Sequence, residues 1–258
     1  MIKVAFLDFD STLYSHFENK IPDSAVKGIN LLHKNGIKVF ICSGRSLCEM
    51  DYFDTSMIKI DGMIANNGQV AYDENNNIIF EHPITGKLKE LIVNIFIENK
   101  LPTYLLTGDR MFINFTDDCV KETQISINSP VPEIKKYEGE KFYMCSVFKN
   151  ENIDEWNKLD QLKEYANITS WHERAIDIVP KNVTKADGIK EILDIYNIKP
   201  EETIAFGDSD NDIDMLKFCN IGVAMGNSTE AVLKSADYIT DHIDKDGLYN
   251  ALKHFQLL

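Results

Sequence analysis

Residues 2–13 read Ile2-Lys3-Val4-Ala5-Phe6-Leu7-Asp8-Phe9-Asp10-Ser11-Thr12-Leu13. The short apolar run stops abruptly at Asp8. It predicts a buried strand, Ile2 to Leu7, of the kind found in a parallel sheet covered on both faces. The following segment, Ser24 to Asn35, carries Ala25, Val26, Ile29 and Leu32 at helical spacing, with Gly36 as its stop. Two more strands follow. Ile37 to Ile41 ends at Cys42-Ser43-Gly44-Arg45, and Gly62 to Ala65 ends at Asn66-Asn67-Gly68.

The same grammar returns near the other end. Ala186 to Tyr196 reads as a helix and Thr203 to Phe206 as a strand ending at Gly207-Asp208. Asp210 to Phe218 reads as a helix, with short strands at Ile221 to Ala224 and Asp237 to Thr240. Strands alternating with helices mean βαβ units and a mainly parallel, Rossmann-like α/β sheet.

The middle differs. A helix at Thr85 to Lys100 precedes strands at Pro102 to Thr107 and Met111 to Phe115, then a helix near Asp117 to Ile125. A strand at Phe142 to Phe148, a helix at Ile153 to Ala166 and strands at Asn167 to His172 and Ala175 to Val179 complete the order αββαβαββ. This is an α+β pattern, expected to be a second domain (81–180) inserted into an α/β core (1–80 and 181–258). Glu74-Asn75-Asn76-Asn77 is expected to be a hairpin turn.

Composition narrows the class. Hydrophobic residues are 44% and charged residues 26% of 258, which is globular rather than disordered. No apolar run reaches the ~18 residues of a membrane span. The N-terminal run is too short for a signal peptide, so a cytoplasmic protein is expected. The net charge of -14 disfavours nucleic acid and anionic lipid as partners, but not a small phosphorylated metabolite. The five cysteines are odd in number and lack a CxxC, as expected of reduced thiols.

In open α/β sheets, ligands bind beyond the carboxyl ends of the strands. Four strands end there in polar loops, and Asp8, Asp10, Asp208 and Asp212 would crowd one crevice. Any one of them alone is an ordinary cap or turn residue. Together at successive strand ends they need neutralising, and Mg²⁺ is the oxygen-loving cation that suits such a site. Ser43, with Gly44 beside it to admit the backbone, and Lys185 at a helix start could face an anion.

These residues resemble the haloacid dehalogenase-like phosphatases. Asp8-Phe9-Asp10-Ser11-Thr12 is similar to their DxDxT motif, Ser43-Gly44-Arg45 to the second, Lys185 to the third and Gly207-Asp208-Ser209-Asp210-Asn211-Asp212 to the fourth. The insert resembles the C2B cap of the Cof-type subfamily IIB. Two departures are Ser11 for the usual Gly, and Ser43 where Thr is common. The resemblance implies a Mg²⁺-dependent phosphatase. Asp8 would be the nucleophile and Asp10 the acid and base. Asp8, the Asp10 carbonyl and Asp208 would hold the metal. Ser43, Gly44, Lys185 and Asn211 would bind the phosphate together with the Asp8/Asp10 pair. Thr12 would position Asp10, and Asp212 would orient the metal shell. The cap would close over the crevice, with Trp171, His172, Glu173 and Arg174 at a hairpin turn within reach of the leaving group. Sugar phosphates, flavin mononucleotide and pyridoxal phosphate all suit the subfamily.

Cys42 lacks the Arg of His-Cys-x5-Arg, since Cys48 stands six places on, and GxxxxGK[ST] is absent. An EF-hand starting at Asp208 would need Gly where Ile213 stands and Glu where Cys219 stands. A phosphomutase shares the core and cap and stays open as a serious rival, although the short chain and Cof-like cap favour a phosphatase. A phosphometabolite-binding regulator would have no need of a nucleophile.

Overall fold

A computed structural model of the chain describes residues 1–126, 130–181 and 183–258. The chain opens with β1 (Val4–Leu7), α1 (Asp23–Lys34), β2 (Lys38–Cys42), α2 (Leu47–Met50), β3 (Gly62–Ala65), β4 (Val70–Asp73) and β5 (Ile78–Glu81). The middle holds α3 (Gly86–Glu98), β6 (Thr103–Leu106), β7 (Met111–Ile113), α4 (Asp118–Ser126), β8 (Glu133–Ile134), β9 (Met144–Phe148), α5 (Ile153–Asn157), β10 (Ala166–His172) and β11 (Ala175–Pro180). The last stretch holds α6 (Lys185–Tyr196), β12 (Thr203–Gly207), α7 (Ile213–Phe218), β13 (Ile221–Ala224), α8 (Glu230–Ser235), β14 (Tyr238–Ile239) and α9 (Gly247–His254).

Two compact units result. The first comprises Met1–Arg45, Glu49–Glu81 and Thr184–Leu258, and the second Ser46–Cys48 and His82–Val183. The first unit carries an eight-stranded sheet in the order β14-β13-β12-β1-β2-β3-β4-β5. Its strands are parallel from β14 to β3 and antiparallel from β3 to β5. β1 is wholly buried, as its unbroken apolar run requires. Phe6, Phe40 and Ile64 from the sheet pack with Ile189, Ile192 and Leu193 of α6 and with Met215 and Leu216 of α7. Burying a side chain of this size contributes ~1.5–3 kcal/mol.

The second unit is α+β. Its sheet runs β10-β11-β9-β6-β7-β8, antiparallel except for the β7–β8 pair. Leu88, Ile92 and Phe96 of α3 pack with Leu105, Phe112, Cys145 and Ile178 in one buried cluster. Tyr104, Leu106, Ile113, Met144 and Phe148 pack with Val120 of α4 in another.

Several expectations shift in detail. Strand β8 adds a two-residue element to the αββαβαββ order, and both of its residues are exposed. Lacking a buried face, it leaves no periodic signal. The helix expected over Ile153 to Ala166 stops at Asn157 and continues as a 3₁₀ run, Lys158–Glu164. The helix expected from Asp210 begins as a 3₁₀ turn, Asp210–Asp212, before α7. There the Asp212 carboxylate turns back to accept the Asp208 and Ser209 N–H groups, each at 2.9 Å, which tightens the entry. Glu74–Asn77 does link two strands, with the Asp73 carboxylate accepting the Asn75 and Asn77 N–H groups at 2.8 Å. All five cysteines are free thiols. No described helix is long and apolar enough to cross a membrane.

Candidate active site

Because β12, β1, β2 and β3 are adjacent and parallel, the loops after them leave one edge of the first unit's sheet. Asp208 follows β12, Asp8 follows β1, Ser43 follows β2 and Asn66 follows β3. This is the edge at which α/β sheets bind ligands. Lys185 is the first residue of α6, whose entry is a capping box. The Thr184 hydroxyl accepts the Asp187 N–H, and the Asp187 carboxylate accepts the Thr184 N–H at 2.9 Å.

The Lys185 side chain is 0% exposed, and its ammonium lies 2.6 Å from both Asp8 and Asp212. A charge is almost never found so deep unless it is paired. Burial works against the ammonium, but the two carboxylates outweigh it and push its pKa up. Asp8, Asp208 and Asp212 are buried, and each offers a carboxylate oxygen within 4.8 Å of the others'. Burial, then the charge of Asp212, pushes the Asp8 carboxyl well up, with Lys185 opposing. Burial and Asp212 raise Asp208 as well. One ammonium against three carboxylates leaves a deficit of two positive charges, which a divalent cation balances. Asp212 engages Lys185 with one oxygen and two main-chain N–H groups with the other, whereas Lys185 meets only one oxygen of Asp8, so Asp8 and Asp208 could offer oxygens to a hard cation.

Asp10 stands apart from this cluster. Arg45 grips its carboxylate with two hydrogen bonds of 2.7 Å, and His16 Nε2 lies 2.7 Å away. Burial raises the Asp10 carboxyl, but the His16 and Arg45 hydrogen bonds outweigh it and hold it at about 2. The clamp is itself supported, since the Arg45 guanidinium sits 4.5 Å from the Phe53 ring centroid and Phe53 packs edge-on against Phe9 and Tyr14.

Thr12 reaches Asp208 through its side chain. Its hydroxyl donates to Asp208 at 3.1 Å, while the side chains bonded to the Asp10 carboxylate are Arg45 and His16. Asp212 holds Lys185 and the Gly207–Ser209 turn. Ser43 is buried, and its Oγ accepts the Arg45 N–H at 3.1 Å, which leaves its own proton to donate. A side chain at Gly44 would meet the Asn67 amide at 3.3 Å, so the glycine keeps that approach open. Asn211 is exposed and donates to Asn67 Oδ1 at 2.9 Å. Ser11, where the related motif has Gly, adopts φ 60, and the Asn227 amide donates to its carbonyl at 2.8 Å. In the second unit, the β10–β11 turn is Glu173-Arg174, with Arg174 paired to Glu122 at 2.6 Å and its N–H donated to His172 Nδ1 at 3.2 Å. Trp171 belongs to β10, and its side chain lies outside the described residues.

Residues 5–252 match the model of the family described as haloacid dehalogenase-like hydrolase. The chain belongs to the haloacid dehalogenase-like hydrolases. YkrA of Bacillus subtilis (strain 168), named as a candidate phosphatase, is 32% identical over 99% of this hydrolase and 98% of YkrA. The solved phosphatase BT1666 from Bacteroides thetaiotaomicron is 31% identical with a TM-score of 0.87, covering 100% of this chain and 96% of that one. The subclass IIB sugar phosphatase BT4131 is 30% identical with a TM-score of 0.81, covering 99% of this chain and 100% of that one. This hydrolase is therefore a phosphatase of subclass IIB.

Three residues of the hydrolase's site escape sequence reasoning. His16 follows Asp10 by six positions in an irregular loop, so no periodicity brings the two together. Asn67 stands in one of the four polar strand-end loops but carries no role of its own there, and nothing in the sequence singles out Asn227. The asparagine pair after β3 was the available signal, since left-handed backbone favours Asn.

Proposed function

We propose that the chain is a Mg²⁺-dependent phosphatase that hydrolyses small phosphorylated metabolites, sugar phosphates among them, through an aspartyl-phosphate on Asp8. The observation that carries this is the buried Asp8–Lys185–Asp212 contact beside Asp208 at the carboxyl edge of a parallel sheet. A structural ion pair needs no third carboxylate in want of a cation.

An Asp8 oxygen attacks phosphorus in line, and the bond from phosphorus to the leaving oxygen breaks. Asp10 gives that oxygen a proton. Water then attacks the acyl phosphate, Asp10 takes its proton, and phosphate departs to regenerate Asp8. The clamp of Arg45 and His16 keeps Asp10 a carboxylate, the form that serves as base. Donating a proton in the first half requires that the clamp release it. Ser43, Lys185 and Asn211 bind the phosphoryl oxygens, and Gly44 admits the backbone beside them. Asp8, Asp208 and the Asp10 carbonyl would hold Mg²⁺, which would supply positive charge to offset the carboxylates and the substrate phosphate. In this reading, residues 1–80 and 181–258 form the catalytic core, and residues 81–180 are the cap that selects the substrate. The likeness to BT4131 supports sugar phosphates as the first class to try.

The test is phosphate release from a panel of sugar phosphates, flavin mononucleotide and pyridoxal phosphate, with Mg²⁺ or excess EDTA. Metal-dependent release is expected, ranked by ester. Absence of release from every ester by folded protein with Mg²⁺ refutes the reading.

A further inference from the structure

The loop after β3 holds the one run of consecutive left-handed residues among the described residues. Asn66, Asn67 and Gly68 follow one another at φ 51, 55 and 102. Consecutive residues other than Gly in the left-handed region persist only where their surroundings hold them there, and such strain gathers at functional sites. Here the loop is tied on every side. The Asn66 N–H donates to the Arg45 carbonyl and the Asn67 N–H to the Ser43 carbonyl, each at 3.0 Å. The Asn67 Oδ1 accepts from the Asn211 amide at 2.9 Å. Gly68 lies so close to the start of α6 that a Cβ there would sit 2.1 Å from the Thr184 carbonyl oxygen. One strained turn thus touches the three segments that carry Ser43, Lys185 and Asn211.

We infer that Asn67 is a positioning residue of the phosphate site, which holds the Asn211 amide through its side chain and the Ser43 loop through its backbone. This rests on the phosphatase reading and adds to it a residue that touches no reacting atom. Asn211 is exposed, so its amide would rotate freely without the bond to Asn67. Phosphate oxygens tighten their contacts in the transition state, and a donor left free to rotate loses most where that tightening matters. Asn suits the position because it tolerates the left-handed backbone and reaches the Asn211 amide with a carbonyl oxygen.

The test uses Asn67→Gly, Asn211→Ala and their double variant in the whole chain. Glycine keeps the backbone and removes the amide. The readouts are kcat/KM on 4-nitrophenyl phosphate with Mg²⁺, and the rise in thermal midpoint caused by orthovanadate, which needs no turnover. Asn67→Gly is expected to lower kcat/KM by about 10-fold or more and to weaken the vanadate shift. The double variant should be no worse than Asn211→Ala by more than about twofold, because the two residues act as one unit. An unchanged kcat/KM in Asn67→Gly overturns the inference, and so does a double variant whose loss equals the product of the single losses. Should Asn67→Gly fail to fold, Asn67→Asp keeps an acceptor for Asn211. Removing Asn211 from that background should then cost as much as in the wild type, and a vanished cost overturns the inference. Failure of the phosphatase reading looks different: the wild type itself would neither release phosphate nor respond to vanadate.

Discussion

Lys185→Met removes an ammonium from a buried cluster of three carboxylates and leaves a side chain of similar length. At 2.6 Å and an effective dielectric of about 20, each of its two contacts is worth about 6 kcal/mol of gross attraction. Desolvation of the ions offsets much of that. The net cost expected is about 3–5 kcal/mol, as when one partner of a buried pair is deleted. With a urea slope of about 3 kcal/mol per molar, the unfolding midpoint of the first unit falls by about 1–1.7 M at pH 7 in EDTA. Mg²⁺ should restore part of the loss, because it supplies the missing positive charge. Lower pH should also narrow the gap. Asp8 and Asp208 are already raised in the wild type with Lys185 opposing the rise, so its loss raises them further, the folded variant binds more protons than the folded wild type, and its stability falls more steeply as pH rises. A variant that unfolds within about 0.3 M of wild type in EDTA at pH 7 would refute the electrostatic reasoning.

Two further outcomes follow from other groups. Asp10 is depressed to about 2, so its clamp stabilises the fold above the ordinary carboxyl pKa of about 3.9 and ceases to do so as pH falls through about 2. The stability difference between wild type and Arg45→Leu should therefore be full at pH 6 and shrink between about pH 4 and 2, and a difference that grows on acidification would contradict the clamp. Burial pushes the Cys219 thiol up to about 12 and raises Cys42 and Cys145 well above their ordinary value. Native protein at pH 8 should thus give up only the half-buried Cys48 and Cys119 to a disulfide reagent, with all five reacting in denaturant; rapid labelling of Cys42 in the native state would contradict the burial.

Much of the fold was legible because burial writes periodicity into sequence. The apolar runs at β1, β2, β3 and β12 end at polar loops, and parallel pairing brings those loops to one edge. What stayed hidden had no periodic signature. β8 is short and exposed, and α9 begins at Gly247 after a left-handed Asp246 rather than at a recognisable cap. Within the site, the residue types at Asp8, Lys185 and Asp208 pointed to charge chemistry before any coordinates. The partners of Asp10 and Asn211 did not, because His16 and Asn67 meet them through loop paths that only tertiary structure fixes. Thr12 shows the same limit: its motif position suggested Asp10, and the fold turns its hydroxyl to Asp208.

The central claim is that Asp8 carries the phosphoryl group during turnover. It is tested by acid-quenching the protein within milliseconds of mixing with a ³²P-labelled sugar phosphate and Mg²⁺, then mapping the label. A hydroxylamine-labile acyl phosphate is expected on the peptide containing Asp8, absent from folded Asp8→Asn, which releases no phosphate. Phosphate release that proceeds without any protein-bound label, or a label that persists in Asp8→Asn, would contradict it.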